Sequence, residues 1–319
     1  MGSGNHSAIF RKAPTIILET QILWKQSLVS QFTETPHPLR FAQCLRDNPS
    51  RGTSTLILHF HLILAYETSG ATHNLMNRTQ DHYDRLLGPV YTWMAGGFEA
   101  AAARNRQQLT ALGLTGWPRG LAVDLGCGSG FQSVPLAEAG YQVLALDLCE
   151  PLLAELRDRT GPLPIRAVRD DLANFAKHCD TAPALVVCMG DTLPHLPSLE
   201  AVAALFREFA RALTPGGRVV LGFRDLATHE LKGAQRFIPV RNEPGRLFTC
   251  FLDYQPSCVE VNDLLHERVD GAWKFSASSY RKLRLDAERA AGMLTASGLV
   301  IEHSSTEQGL VRLVARLVG

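Results

Sequence analysis

The sequence predicts an α/β fold in which a mostly parallel sheet carries helices on both faces. Between residues 119 and 223, short apolar runs alternate with helix-compatible stretches. The first run, Leu121–Leu125, leads into a glycine-rich turn, which we call the glycine loop (Gly126-Cys127-Gly128-Ser129-Gly130), and then into helix-compatible residues. A strand, a glycine turn and a helix together are typical of a nucleotide-binding corner of an open α/β sheet.

The glycine loop departs from the pattern that binds dinucleotides. In G-x-G-x-x-G, Gly126 and Gly128 fit, but Phe131 stands at the third position and the extra glycine comes one residue early. Asp124 stands two residues before the first glycine, where a carboxylate would repel a pyrophosphate but could anchor a cation through the loop. The loop therefore favours a ligand without a diphosphate.

Residues 124–130 resemble motif I of the class I S-adenosylmethionine-dependent methyltransferases, whose ligand is a sulfonium with an amino-acid tail. The resemblance implies S-adenosyl-L-methionine as the cofactor. It also implies a Rossmann-like, seven-stranded, mostly parallel sheet with an antiparallel insertion after the fifth strand. The implied cofactor contacts within this motif are Asp124, Gly126, Cys127, Gly128 and Gly130.

The second apolar run ends in an acid, Asp147, 17 residues after Gly130. In a right-handed βαβ unit the carboxyl ends of the two strands meet in one crevice. Asp147 can there accept both ribose hydroxyls, which also resembles the family's motif II, and Leu148 would then lie against the adenine. The alternative role for Asp147 is a helix N-cap, since Pro151 begins a helix nearby.

The third run, residues 165–168, is followed by two acids, Asp170 and Asp171. One of them should accept from the adenine amino group. By the family's spacing to Phe175, Asp171 fits best, and Asp170 would cap the helix over residues 172–178 or be solvated. The two roles could be swapped.

The fourth run, residues 184–188, leads into a segment that resembles motif IV, where the methyl group and its acceptor should meet. Met189 is a candidate cofactor contact. His195 is the best-placed general base for a hydroxyl acceptor and Asp191 is next, whereas an amine acceptor needs only its lone pair. His195 could instead make a structural hydrogen bond. The segment resembles the small-molecule branch, which includes glycine and sarcosine N-methyltransferases, and it lacks the Asn-Pro-Pro-Tyr loop used for amino groups on planar bases.

The flanking regions predict a lid and a substrate wall. The resemblance implies that helices over residues 80–112 cover the cofactor, with Tyr83 and Tyr91 as lid residues unless they are core aromatics. The first of these helices is expected to end at Pro89. Residues 224–285, after a fifth strand at 218–223, are expected to wall the substrate pocket. The wall candidates are Arg224, His229, Arg236, Arg241, Tyr254 and Tyr280.

Three further predictions cover the insertion and the C-terminus. Antiparallel strands are expected over residues 248–285, with a turn at Asp270-Gly271. Asp286 should cap a helix that runs to Ala296. Two last sheet strands should follow at residues 299–301 and 310–315.

Composition bounds the remaining possibilities. The net charge of +1 in 319 residues argues against a nucleic-acid partner, and no apolar run reaches the length of a membrane span. Seven scattered cysteines without a C-x-x-C favour a reducing cytoplasm and no metal site. Residues 1–75 lack organising turns or periodicity, which predicts a poorly ordered extension or spurious upstream translation before Met76. Residues 76–319 would form the methyltransferase domain.

The resemblance therefore implies an enzyme that moves a methyl group from S-adenosylmethionine to a nitrogen or oxygen of a small molecule by in-line displacement. Two alternatives remain from the residues themselves. One is an NAD-dependent oxidoreductase, and the other is a nucleotide-binding protein of Rossmann type without catalysis.

Overall fold

The computed structural model describes residues 78–115 and 120–318. The predictions for residues 1–75 lie outside this part of the chain. In the described part, the main sheet has seven strands in the order β10-β11-β5-β4-β1-β2-β3. Its strands are β1 (Leu121–Leu125), β2 (Gln142–Asp147), β3 (Ile165–Arg169), β4 (Leu185–Cys188), β5 (Arg218–Arg224), β10 (Leu299–Glu307) and β11 (Leu310–Leu317).

Strands β1 to β5 are parallel, and β11 inserts antiparallel between β5 and β10. The seven-stranded, mostly parallel sheet predicted from the sequence is thereby confirmed. The strand order reverses between β1 and β4, so the loops after these two strands diverge and leave a crevice at the carboxyl edge. The ligand crevice of an open α/β sheet lies at this point.

Helices cover both faces of the sheet. They are α1 (Gly88–Met94), α2 (Phe98–Ala111), α3 (Ser133–Glu138), α4 (Glu150–Thr160), α5 (Leu199–Ala212) and α6 (Ala287–Ala296). One apolar cluster holds α5 and α6 against the sheet, and a second holds α2, α3 and α4 against the opposite face. Of the described residues, no helix is both long and apolar enough to cross a membrane.

Two helices begin at a residue whose side chain caps the first turn. The side chain of Ser198 accepts from the amide of Ala201 at the start of α5, and that of Asp286 accepts from the amide of Arg289 at the start of α6. A short polar side chain in extended backbone satisfies one of the free amides of the first turn. The predicted cap at Asp286 is thereby confirmed.

The prediction that Pro89 ends the first lid helix was wrong. Helical structure runs through residues 78–94, which we call the lid segment, and contains a π-helical stretch at Tyr83–Leu87. The amide of Gly88 bonds to the carbonyl of Tyr83, and Pro89 follows within the first turn of α1. A proline is tolerated there because its missing amide would have no partner in a new first turn.

The antiparallel insertion is a separate four-stranded sheet in the order β6-β7-β8-β9. Its strands are β6 (Phe237–Glu243), β7 (Arg246–Tyr254), β8 (Cys258–Val269) and β9 (Ala272–Leu283). The predicted turn at Asp270-Gly271 joins β8 to β9, with both residues at positive φ. Strand β6 was not predicted, because Pro239 and a register shift beside it break the alternation.

The lid segment packs against this insertion rather than standing free. Leu86, Leu87 and Val90 cluster with Phe248 and Leu265, which belong to β7 and β8. The indole of Trp93 donates to Glu243 Oε2 of β6 at 2.6 Å. The lid and the insertion therefore form one continuous wall above the crevice.

Candidate active site

A cavity of about 500 Å³ opens at the carboxyl edge of the main sheet. Its floor comes from the glycine loop and from the ends of β2 and β3, and its other walls come from the lid segment, the loop after β4, and β9. The lining residues that the next paragraphs use are Tyr83, Tyr91, Gly126, Gly128, Asp147, Leu148, Asp170, Asp171, His195 and Lys282. This volume suits a small organic ligand of nucleoside size.

Backbone crowding explains the glycines of the loop. Gly126 has φ 69°, and a Cβ there would lie 2.3 Å from Thr192 Cγ2 in the loop after β4. A Cβ on Gly128, at φ 53°, would lie 3.3 Å from Tyr91 Cε1 of the lid segment. Only glycine, which has no Cβ, lets the glycine loop approach the loop after β4 and the lid segment this closely. The glycine loop therefore has one of these two segments on each side.

Asp147 lies at the end of β2, where its carboxylate already orders the cavity floor. Oδ2 accepts from the amide of Gly128 and Oδ1 from the amide of Cys149, both at 2.8 Å. Each oxygen keeps a second lone pair for a ligand donor. Burial raises the pKa of this carboxyl above its usual value, while the amide bonds oppose that rise.

Asp170 and Asp171 both line the cavity after β3. Asp171 is the helix cap, since its Oδ1 accepts from the amide of Ala173, so of the two arrangements left open by the sequence the one with Asp171 as the cap is observed. Asp170 instead bonds His178 Nε2 at 2.7 Å and accepts from Asn174. These hydrogen bonds hold the pKa of Asp170 at about 2.

A second part of the cavity is built around His195. Its Nε2 lies 3.2 Å from the hydroxyl of Tyr83, and its ring stacks on Tyr280 with centroids 5.2 Å apart. Burial, with the nearby Lys282 and His82, lowers the pKa of His195 well below its usual value, so the ring is neutral at physiological pH. Burial raises the pKa of Tyr83, so its phenol keeps a proton to donate to Nε2.

Two buried polar pairs support this part of the cavity, and sequence reasoning missed three of their four members. His82 Nε2 lies 3.0 Å from Asp263 Oδ2, which joins the lid segment to β8. The ammonium of Lys282 on β9 contacts Asp191 Oδ2, and Asp191 Oδ1 accepts from the amide of Arg224 at 2.8 Å. The alternation of β9 puts Lys282 on the same face as the flagged Tyr280, a signal that could have found it.

Several predicted residues do not line the cavity: Asp124, Cys127, Gly130, Met189, Asp191 and all six wall candidates. Asp124 is buried below the loop, where its Oδ2 accepts from Ser133 Oγ at 2.6 Å. Cys127 and Met189 pack in the apolar cluster on one face of the sheet. The positions that do line the cavity are the loop glycines Gly126 and Gly128, Tyr83, Tyr91, Asp147, Leu148, Asp170, Asp171 and His195.

The cavity residues fit S-adenosylmethionine. Gly126 and Gly128 present backbone without a side chain to the cavity, and Asp147 keeps acceptor capacity at the end of β2. Asp171 retains an oxygen that no described residue contacts, suited to an amino group. Together these features match a cationic nucleoside ligand better than a diphosphate.

Comparison with known proteins agrees with this chemistry. Residues 122–217 match a family model described as a methyltransferase domain. The cypemycin N-terminal methyltransferase of Streptomyces is 34% identical over 111 residues, which are 35% of this chain and 44% of that protein. Residues 122–217 therefore form a methyltransferase domain. A ubiquinone biosynthesis O-methyltransferase of Proteus mirabilis is 32% identical over 99 residues, 30% of this chain and 40% of that protein.

The chain spans less than half the length of the curated relatives it matches. A solved S-adenosylmethionine-dependent methyltransferase of Clostridium acetobutylicum superposes with a TM-score of 0.57 at 14% identity. That match covers 76% of this chain and 99% of the other, and it shows a common fold.

Proposed function

We propose that this methyltransferase moves the methyl group of S-adenosylmethionine to a nitrogen or oxygen of a small molecule. The observation that carries the proposal is that one cavity joins the glycine loop and Asp147 to the Tyr83–His195 pair. A donor held at the first end and an acceptor held at the second would meet inside it. Proximity of this kind is the main contribution a protein makes to a displacement between two bound reactants.

Five of the residues that line the cavity would hold the cofactor. Asp147 would accept the ribose hydroxyls, and Gly126 and Gly128 would lie against the amino-acid tail and sulfur. Leu148 and Asp171 would contact the adenine ring and its amino group. Asp124 would act from below through its bond to Ser133, without touching the ligand.

When bound, S-adenosylmethionine supplies an activated methyl carbon, whose bond to sulfur breaks as the acceptor's lone pair forms the new bond. The chain's part is to orient the acceptor and exclude water. Tyr91 stacks on Phe131, and Tyr83 bonds His195, so the lid segment covers the meeting point. The acceptor would then reach the methyl carbon from the side of His195.

The proton of the acceptor sets the role of His195. A hydroxyl acceptor that replaces the Tyr83 phenol at Nε2 could pass its proton to the neutral ring. An amine acceptor needs an unprotonated nitrogen, and the same burial that lowers the pKa of His195 would favour that form. Either acceptor is compatible with His195 as the group beside the reacting atom. Asp191 is the weaker candidate base, since Lys282 and a backbone amide occupy its oxygens.

The first experiment is calorimetry of the full chain with S-adenosylmethionine, S-adenosylhomocysteine and NADH. We expect micromolar binding of the first two and none of NADH, while saturable NADH binding would favour the oxidoreductase. Labelled cofactor with a panel of amines, phenols and carboxylates then tests transfer. Transfer to none of them, with the cofactor bound, would favour a binding protein.

Two variants test the proposed cofactor site and the proposed acceptor site separately. Asp147→Asn should abolish cofactor binding, whereas Asp158→Asn, an exposed acid on α4, should not change it. His195→Ala should lower turnover of a hydroxyl acceptor and leave cofactor affinity unchanged. Full turnover in the His195 variant would remove it as a base.

A further inference from the structure

Lys282 is a buried charged side chain in the wall of the cavity, and lysines are rarely buried. The residue is 8% exposed, yet it lines the cavity from β9. Its ammonium pairs with Asp191, and the other oxygen of Asp191 accepts from the amide of Arg224. The pair is thus fixed from two directions, and Lys282 itself lines the cavity that an acceptor would enter.

The ammonium has more donors than this pair uses. A lysine ammonium carries three N–H donors. Among the residues that the structure describes, Asp191 is the one hydrogen-bond partner of the Lys282 ammonium. Buried donors without acceptors are costly. An oxygen on a molecule in the cavity would satisfy the remaining donors, and a negatively charged oxygen would make the strongest bond.

The position of Lys282 assigns that oxygen to the acceptor. Its ammonium lies 5.6 Å from the ring of Tyr280, and the same ring stacks on His195. Its charge also contributes to the lowered pKa of His195. Lys282 therefore lies in the part of the cavity that contains His195.

We propose that Lys282 binds an anionic oxygen of the acceptor, a carboxylate above all, close to the atom that receives the methyl group. This inference rests on the proposed function and narrows it to acceptors that carry an acid group. Lys282 would act as a specificity residue: it orients the acceptor and takes no part in the proton transfer. The remaining source of such an oxygen is the carboxylate of the cofactor's own tail, which the experiment separates.

The test is binding to the full chain saturated with S-adenosylhomocysteine. The probes are amino acids and hydroxybenzoic acids, each paired with its primary amide, measured by calorimetry. We expect at least one acid to bind more tightly than its amide. Lys282→Met should weaken that acid about 10- to 100-fold, the value of a charge-assisted hydrogen bond, and leave its amide unchanged.

Matched variants keep the result interpretable. Lys274→Met removes an exposed lysine from the same strand and should change nothing. Lys282→Arg should retain the preference for the acid. Because Lys282→Met leaves the carboxylate of Asp191 without its cation, the double variant with Asp191→Asn should lose the preference with both charges removed.

Three outcomes would overturn the inference while the proposed function stands. The first is that no acid binds more tightly than its amide. The second is that Lys282→Met keeps the preference. The third is that this variant weakens S-adenosylhomocysteine itself, which would assign the ammonium to the cofactor's carboxylate. Failure of the wild-type chain to bind S-adenosylhomocysteine would instead contradict the proposed function.

Discussion

At the scale of single residues, Gly126 and Asp124 show how the environment of one position decides its role. Gly126 lies where the loops after β1 and β4 touch, and its amide also bonds the carbonyl of Leu146 at 2.8 Å. Asp124, two residues earlier, is buried, and its Oδ1 has no hydrogen-bond partner among the described residues. Each position makes a prediction.

Gly126→Ala should destabilise the fold and weaken cofactor binding. The left-handed backbone costs an alanine about 1 to 2 kcal/mol, and overlap with Thr192 adds about 1 to 3 kcal/mol. The matched control is Gly113→Ala, because Gly113 has φ 68° with open space around its Cβ and should lose the first amount alone. Urea unfolding measures both, and equal losses would show that the crowding at Thr192 carries no energy.

The pH dependence of stability should report on Asp124. Burial raises the pKa of Asp124 to about 7, so the folded state holds a proton that the unfolded state has already released. Stability from this group is therefore present at low pH and is lost as the pH rises towards 7. Asp124→Asn cannot titrate, so relative to the variant the wild type should lose about 3 kcal/mol between about pH 5 and 8.

Urea unfolding at several pH values measures this difference, with Asp158→Asn on the surface as the control. Parallel curves for wild type and Asp124→Asn would contradict the raised pKa.

The comparison of Asp124 with Asp147 also explains a limit of sequence reasoning. Motif spacing found both Asp124 and Asp147, but spacing alone does not say which carboxylate faces the cavity and which lies beneath it.

At the scale of elements, the lid segment departs most from its prediction. The sequence predicts that the first lid helix ends at Pro89, but the π-helical turn at Tyr83–Leu87 lets the chain continue into α1. π-helical turns are rare and are often found at functional sites. Here the turn contains Tyr83, the residue that reaches His195.

Gly88→Ala should disrupt this turn without any backbone strain. The φ of Gly88 is −52°, yet a Cβ would lie 2.7 Å from the carbonyl oxygen of Tyr83 and 3.0 Å from Cys149 Sγ. We expect a loss of about 1 to 3 kcal/mol and lower methyl transfer, because Tyr83 must shift. Gly292→Ala in α6, where the Cβ meets open space, should instead stabilise by about 0.5 to 1 kcal/mol. Thermal unfolding and turnover together test the pair, and an equal effect of both variants would contradict the crowding.

The other elements show what the sequence can and cannot predict. Strands β1, β2 and β4 are short, apolar and mostly buried on both faces, and they are bounded by glycine and acid residues, so their runs are unambiguous. Contacts such as His82 with Asp263 join residues 181 positions apart. No local pattern encodes such a pair, because neither residue has a distinctive neighbour in the chain.

At the scale of the whole molecule, the lid segment ties three regions together. Tyr91 lies over Gly128, Tyr83 bonds His195, and His82 pairs with Asp263 of the insertion. A ligand that orders any one of these contacts should therefore affect the others. This coupling gives a prediction that spans the chain.

S-adenosylhomocysteine should slow amide hydrogen exchange in the lid segment and in β8 and β9, as well as in the glycine loop. A ligand that stabilises the folded state lowers the population of open states in every element coupled to its site. Exchange measured by mass spectrometry with and without the ligand tests this. Protection confined to residues 120–200 would show that the lid and the insertion move independently of the cofactor.

The cavity wall is divided between distant parts of the chain. The stretch shared with the methyltransferase family, residues 122–217, supplies the floor, while the lid segment and β9 supply the roof from before and after it. A chimera meant to transfer acceptor preference between relatives would have to carry the lid segment together with the whole insertion sheet, since His82 and Trp93 of the lid segment pair with Asp263 of β8 and Glu243 of β6.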